Sequence, residues 1–342
     1  MDRREFLSAV VAAPAVLKGA TRPPVRIGFL GASHSHARGK VEIVRNSPDF
    51  ELIGIYEPYA AHATAHAKNG LPLAASAESL LADPRVEVIA VESDVRSHYR
   101  YAKMALEARK HVHLEKPPAL DVESFRELQN IATRNRLAIQ MGYMWRHNPG
   151  LNRMIEAARE GWLGDIFFVQ ATIHKTLRPE DRPVWAEFRG GQMFELGPHV
   201  IDPLVRLLGR PDRVSPFLKK HGDYPDNLAD NTVAVFEFQR AMGVVVGSAL
   251  SAVGSRHRSF EVHGTNGVAS LRPIEPPTLD FNMHKAAGPY AAGRHEVKLP
   301  KYQRYVNDMK ELAAAVRGDR PIGVNFREDL IVQEAVIAAS AM

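Results

Sequence analysis

Residues 25–31, VRIGFLG, form a short apolar run that ends in glycine, and the polar stretch ASHSHARGK follows at residues 32–40. This pattern is typical of a buried strand followed by a turn and a helix. Apolar runs recur at residues 51–56, 86–91, 111–114 and 137–143, with helices predicted from about His36, Tyr59, Ser97 and Val122. The alternation predicts an α/β domain over residues 25–142, with a doubly wound parallel sheet covered on both faces.

The pattern changes after Tyr143. A helix is predicted near residues 150–160, and strand-like runs then follow one another, as in NTVAVFEF at residues 231–238. Such a series predicts an α+β domain over residues 143–342, built on a large, mainly antiparallel, open-faced sheet. Two C-terminal helices, at about residues 302–317 and 326–341, are expected to complete it. An open sheet face also leads us to expect a homo-oligomer.

Composition limits the classes of partner. The 342 residues suffice for two packed domains, and the formal charge of +5 comes from interspersed charges, which argues against a nucleic-acid partner. The absence of cysteine excludes disulfides, thiolate metal sites and a cysteine nucleophile. No run of about 18 apolar residues occurs, so no membrane contact is expected beyond a possible signal anchor.

The N-terminus carries Arg3 and Arg4, followed by a short apolar region that ends near Leu17. This arrangement resembles a twin-arginine export signal, here assigned to residues 1–24, and predicts a periplasmic or secreted protein. The alternative is an ordinary amphipathic tail on a cytoplasmic protein.

The first turn predicts a dinucleotide site. A G-x-G-x-x-G fingerprint would start at Gly31, but Ser33 and His36 replace its second and third glycines. Context supports the site, because Glu57 ends the second strand, where an acid can bind both ribose hydroxyls. That acid would repel a 2′-phosphate, so NAD is expected rather than NADP; the alternative is a solvated loop carboxylate. The turn residues assigned to the cofactor are Gly31, Ala32, Ser33 and His34.

Three further passages carry a family resemblance. They are ALEARKHVHLEKP at residues 105–117, MGYMWRHNP at residues 141–149 and GGQMFELGPHVIDPL at residues 190–204. In this order, and with His98 ahead of the first, they closely resemble the Gfo/Idh/MocA family of nicotinamide-dependent sugar oxidoreductases. The family usually has aspartate where this chain has Glu195.

The resemblance implies roles for individual residues. Lys116, His199 and Glu195 are expected at the reacting hydroxyl, and either Lys116 or His199 can be the base. Tyr143 and Arg146 are expected to border the cleft. Further cofactor contacts are assigned to Ser93, His98, Glu115 and Lys116.

The third passage also makes a local prediction. Spacings of four and three place Glu195, His199 and Asp202 on one face of a helix that should begin near Glu195 and end near Leu208. Glu195 and His199 could share a divalent metal, but no third ligand is identifiable, and no metal is expected. Within residues 175–191, Trp185 is a candidate sugar contact; alternatively it only caps the second domain.

These observations favour an NAD-dependent oxidoreductase acting on a secondary hydroxyl of a carbohydrate: a sugar, polyol or glycoside. One alternative is a redox-neutral enzyme that retains NAD, oxidises a glycoside transiently and cleaves it by elimination. Another is a non-catalytic sugar or nucleotide sensor.

Overall fold

The computed structural model describes residues 22–342. The predicted export signal therefore lies almost entirely outside the described residues. Within the described part, no helix has both the length and the apolar character needed to cross a membrane.

The first domain is built on a five-stranded parallel sheet. Its strands are β1 Val25–Leu30, β2 Phe50–Tyr56, β3 Val88–Val91, β4 His111–Leu114 and β5 Ile139–Met141. Its helices are α1 Ala37–Asn46, α2 Ala60–Lys68, α3 Ala77–Ala82, α4 Val95–Glu107 and α5 Val122–Asn135. The strand order β2-β1-β3-β4-β5 confirms the predicted doubly wound sheet. It also places the switch point, where such folds bind ligands, between β1 and β3.

The second domain contains an eight-stranded sheet in the order β13-β12-β11-β10-β6-β9-β8-β7. Its strands are β6 Ile166–His174, β7 Arg213–Lys219, β8 Asn231–Phe238, β9 Ala241–Ser248, β10 Ser259–Gly264, β11 Gly267–Leu271, β12 Leu279–Met283 and β13 Gly293–Val297. All neighbours are antiparallel except β6 and β9, which pair in parallel. The large, mainly antiparallel sheet is thus confirmed.

The helices of the second half of the chain are α6 Pro149–Arg159, α7 Arg182–Ala186, α8 Gly191–Leu196, α9 Pro198–Leu208, α10 Val306–Val316 and α11 Phe326–Ala339. Helices α6, α8 and α9 pack against one face of the large sheet. Apolar side chains of β8 and β9, such as Val235 and Val244, alternate onto the opposite face and are only half-buried. The homo-oligomer expected from this open face stays a prediction.

Helix α10 corrects the predicted division of the chain. Its Met309, Leu312 and Ala313 are buried in the same apolar cluster as Ile27 and Phe29 of β1. The prediction that both C-terminal helices complete the second domain is therefore wrong for α10, which returns to the first sheet. An amphipathic pattern predicts that a helix packs, but not which domain it packs against.

The helix predicted from Glu195 to Leu208 is in fact two helices. The first, α8, begins four residues earlier at Gly191, and α9 resumes at Pro198 after Gly197. Pro198 occupies the first turn of α9, where proline is tolerated. Gly191 has a φ of +48°, and a Cβ there would lie 2.5 Å from the carbonyl oxygen of Ala229. The glycine pair thus permits a close approach that starts the helix early.

Candidate active site

A cavity of about 880 Å³ lies at the carboxyl edge of the parallel sheet, between that edge and the second domain. The first domain contributes the turn between β1 and α1, and the second contributes residues from β6 to the start of α9. Seven of the predicted site residues line it together: Ser33, His34, Ser93, Lys116, Trp185, Glu195 and His199. Side chains that are more than 80 residues apart in sequence, such as Lys116 and His199, therefore line the same cavity.

Lys116 and Glu195 join the two domains across the cavity. The Lys116 Nζ donates to the main-chain oxygen of Glu195 at 2.7 Å and lies 3.7 Å from its carboxylate. Both residues are buried. Burial raises the pKa of Glu195, although Lys116 and Lys175 oppose the shift. The ammonium is thus held at the cavity wall with further hydrogens available to a bound hydroxyl.

His199 is only 1% exposed, and neither ring nitrogen has a hydrogen-bond partner among residues 22–342. Burial, followed by the charge of Lys116, holds its pKa well below the ordinary value. The ring is therefore neutral at pH 7, with one nitrogen able to accept a proton. Because buried polar atoms are nearly always paired, this orphaned imidazole points to a ligand that completes it.

The turn after β1 fits a dinucleotide. Gly31 has a φ of +73°, and a Cβ there would lie 2.5 Å from the Cα of Ser93, so only glycine allows the strand ends to approach this closely. Helix α1 has no side-chain cap at its N-terminus, and such a terminus can bind a diphosphate through backbone N–H groups.

Glu57 supports the same turn. Its carboxylate accepts hydrogen bonds from the backbone N–H groups of Ala32 at 2.7 Å and Tyr59 at 3.0 Å. Gly31, Ala32 and Glu57 lie outside the residues that line the cavity. Glu57 thus supports the turn from the side that faces away from the cavity. Its remaining lone pairs could accept hydrogen bonds from the hydroxyls of a ribose.

A buried ion network lies beneath the cavity and was not predicted. The Lys40 Nζ donates to Glu115 at 2.5 Å and to Glu92 at 2.6 Å. Burial alone would lower the pKa of Lys40, but the two carboxylates outweigh it and raise that pKa. Burial raises the pKa of Glu92 to about 8, and Lys40 holds that of Glu115 well below its ordinary value in spite of burial. Glu115 is therefore a paired anion beneath the cavity lining, and its predicted contact with the cofactor stays a prediction.

One group of side chains could hold a metal. Donor atoms of His34, His36 and Glu115 lie within 4.8 Å of one another, and no other such group of three occurs among residues 22–342. The Lys40 ammonium at 2.5 Å from Glu115 opposes a second cation there. Glu195 and His199 acquire no third ligand in the described part of the chain.

His98, a predicted cofactor contact, also lies beneath the cavity lining, and that contact stays a prediction. Its ring nitrogens face the main-chain oxygens of Pro117 at 2.7 Å and Ser93 at 3.1 Å, and it is fully buried outside the cavity lining. Burial lowers its pKa, although the two main-chain oxygens oppose the shift, and the ring ties α4 to the segment after β4.

Tyr143 and Arg146, predicted to border the cleft, are not among the residues that line the cavity, and their contact with a substrate stays a prediction. Arg146 donates to Asp202 at 2.7 Å and to Asp329 at 2.6 Å, and its guanidinium stacks 4.5 Å from the Tyr143 ring centre. All four side chains are buried. They fasten the segment after β5 to α9 and α11. Asp202, predicted on the same helix face as Glu195 and His199, thus forms a structural ion pair with Arg146.

Together, the parallel sheet, the glycine turn at its switch point and the second-domain segment 175–199 that closes the cavity define a two-domain, dinucleotide-binding oxidoreductase architecture. Sequence comparison identifies the family. Residues 25–143 match the oxidoreductase family with an NAD-binding Rossmann fold, and residues 151–270 match the GFO/IDH/MocA C-terminal domain. The chain belongs to the Gfo/Idh/MocA family of oxidoreductases.

Individual relatives are distant. An uncharacterized oxidoreductase, ORF334 of Rhizobium meliloti, is 24% identical over 90% of this chain and 93% of its own length. The D-glucoside 3-dehydrogenase of Escherichia coli K12 is 29% identical over 56% of each chain. Among solved structures, GenD2 from gentamicin A biosynthesis, in complex with NAD, superposes with a TM-score of 0.78 at 20% identity, covering 94% of this chain and 95% of its own.

Proposed function

We propose that this protein is an NAD-dependent oxidoreductase that acts on a secondary hydroxyl of a sugar, polyol or glycoside. The observation that carries the proposal is the unpaired His199 imidazole, buried beside Lys116 in the cavity. Similarity to a D-glucoside 3-dehydrogenase supports a sugar hydroxyl as the reacting group.

Three residues of the cavity would act at the reacting hydroxyl: Lys116, His199 and Glu195. A bound nicotinamide would supply the acceptor for the hydride that leaves the carbinol carbon. The Lys116 ammonium donates a hydrogen bond to the hydroxyl oxygen, and neutral His199 takes the hydroxyl proton as the C–O bond becomes a carbonyl. Glu195, held against Lys116, keeps that ammonium in place. Ser33, His34 and Ser93, with the N-terminus of α1, would hold the dinucleotide.

Cofactor choice gives the first prediction. We expect NADH to bind at least tenfold more tightly than NADPH, because the Glu57 carboxylate repels a 2′-phosphate; about 1.4 kcal/mol of repulsion suffices. Glu57→Gln should narrow this preference. Glu51→Gln, which removes an exposed carboxylate from the strand that precedes Glu57, should leave it unchanged. Titrations of nicotinamide fluorescence measure both affinities. Equal or tighter NADPH binding by the unaltered protein would contradict the assignment.

Product stoichiometry gives the second prediction. With excess NAD and a panel of glycosides, free sugars and inositols, absorbance at about 340 nm should rise in proportion to ketone, because a dehydrogenase releases its reduced cofactor. Released aglycone and solvent deuterium in the product, without NADH, would instead show the redox-neutral cleavage. Saturable sugar binding without any product would indicate the sensor.

A further inference from the structure

Lys175 is a cation of the cavity lining that forms no ion pair with a carboxylate among residues 22–342. It follows the last residue of β6, its backbone N–H donates to Ser248 at 2.8 Å, and its ammonium lies 4.8 Å from the Trp185 ring centre. Gly254 packs against its backbone, where a Cβ would lie 2.5 Å from the Lys175 nitrogen. The side chain is thus anchored at its base and steered over an aromatic ring that lines the same cavity.

The other cations of the cavity lining are neutralised within the described part of the chain. Arg96 pairs with Glu187, Arg178 with Asp181, and Lys116 lies beside Glu195. Lys175 has no carboxylate within ion-pair distance and no side-chain hydrogen bond among residues 22–342, although it is half-buried. Desolvating an unpaired ammonium costs free energy that an anionic ligand would restore.

A second cation strengthens the positive field on this side. Arg258 lies close enough to lower the pKa values of both Lys175 and His199, after the larger effect of burial, and it too has no ion pair among the described residues. Its own pKa is lowered to about 10 by burial and by Arg304. Arg258 lies outside the cavity lining, so Lys175 is the lysine or arginine among the described lining residues that is left without a carboxylate partner.

We infer that Lys175 binds a carboxylate of the substrate, so that the preferred substrates are uronic acids or glycosides that carry a carboxylate. The inference rests on the proposed function for the position of the reacting hydroxyl. A carboxylate suits this site better than a phosphate dianion, since one free ammonium matches one negative charge. The Trp185 face below the ammonium suits the apolar face of the sugar ring.

The site inferred for the substrate carboxylate and the site for the cofactor diphosphate lie on opposite walls of the cavity. The turn between β1 and α1 belongs to the first domain, whereas Lys175 and Trp185 belong to the second. Loss of the Lys175 charge should therefore leave NADH affinity unchanged within about threefold. A larger loss would assign Lys175 to the cofactor and overturn the inference.

The test compares glucuronate with glucose, and a methyl glucuronide with the methyl glucoside, on the NAD-loaded protein. Calorimetry should show at least about 30-fold tighter binding of the acidic sugars, the scale of a buried charge pair. Turnover should show the same preference in kcat/KM. Lys175→Met should abolish the preference while leaving the neutral sugars within about threefold, and Lys175→Arg should retain part of it.

Arg178→Met is the matched control, because it removes a paired, exposed cation from the same cavity and should preserve the preference. Equal binding of acidic and neutral sugars by the unaltered protein would overturn the inference, as would equal losses on both in Lys175→Met. A preference for glucose 6-phosphate over glucuronate would contradict the assignment of the Lys175 ligand as a carboxylate. Selective glucuronate binding without turnover would uphold the Lys175 site and contradict the oxidoreductase, so the two proposals fail separately.

Discussion

Replacing Lys116 by methionine, or His199 by alanine, should lower kcat by at least about 10²-fold, the scale of general acid–base catalysis. Lys116→Met keeps the apolar stem but removes the hydrogens that a substrate oxygen would accept. His199→Ala removes a neutral base of the cavity lining whose two ring nitrogens both lack a hydrogen-bond partner among residues 22–342. Steady-state NADH formation on the best substrate measures both changes.

Lys110→Met is the matched control. Lys110 precedes β4 and also donates to main-chain oxygens, those of Asp83 and Val86, but it lies away from the cavity. Its replacement should leave kcat unchanged. If Lys116→Met and His199→Ala both fold and turn over normally, neither residue handles the proton.

The pH profile provides a second readout for His199. Burial holds its pKa well below the ordinary value near 6.5, and a base is active in its unprotonated form, above its pKa. Turnover should therefore persist as the pH falls through 6.5 and be lost only at lower pH. A loss of kcat centred at the ordinary histidine pKa would contradict the buried, neutral ring.

Arg146→Met should lower the free energy of unfolding by about 3–5 kcal/mol, because it leaves the Asp202 and Asp329 carboxylates buried without their cation. Urea unfolding measures the loss. Arg153→Met, which breaks a more exposed pair with Glu156, should cost at most about 1 kcal/mol. At temperatures where Arg146→Met remains folded, its KM should match that of the unaltered protein, since Arg146 is outside the cavity. A raised KM with unchanged stability would restore the predicted substrate contact.

The stability of Arg146→Met should also depend on pH. Burial raises the pKa of Asp329 to about 6 even with Arg146 present. A carboxyl with a raised folded-state pKa binds more protons folded than unfolded, so the folded state gains stability as the pH falls through that pKa. The free energy of unfolding that Arg146→Met loses should therefore be smaller at pH 5 than at pH 8. An equal deficit at both values would show that these carboxylates do not determine it.

Much of the fold follows from local patterns. Alternating apolar runs and helices specify the parallel sheet, and the Glu115-Lys116-Pro117 segment after β4 places a lysine at the ligand-binding edge. The early start of α8 was missed because it depends on the approach of Gly191 to Ala229, a contact between distant segments. Periodicity within one segment carries no information about such a contact.

The buried charges show the same limit for the site. The family resemblance predicts Arg146 at the border of the cleft, yet its partner Asp329 lies 183 residues away in the sequence. The Lys40 network spans 75 residues between Lys40 and Glu115. Both pairings are decided by tertiary packing. The one available signal was Glu92, an acid at the carboxyl end of an apolar strand, which requires a nearby cation once it is buried.

The return of α10 to the first sheet has a consequence for how the protein comes into being. A ribosome that has made residues 25–142 has made all five strands of the nucleotide domain but not α10, which completes the apolar cluster of Ile27 and Phe29. That face can close only after some 160 further residues have been synthesised. The apolar face of the nascent domain therefore stays exposed until α10 has been synthesised. In a chain that ends before residue 300, that face would stay exposed permanently.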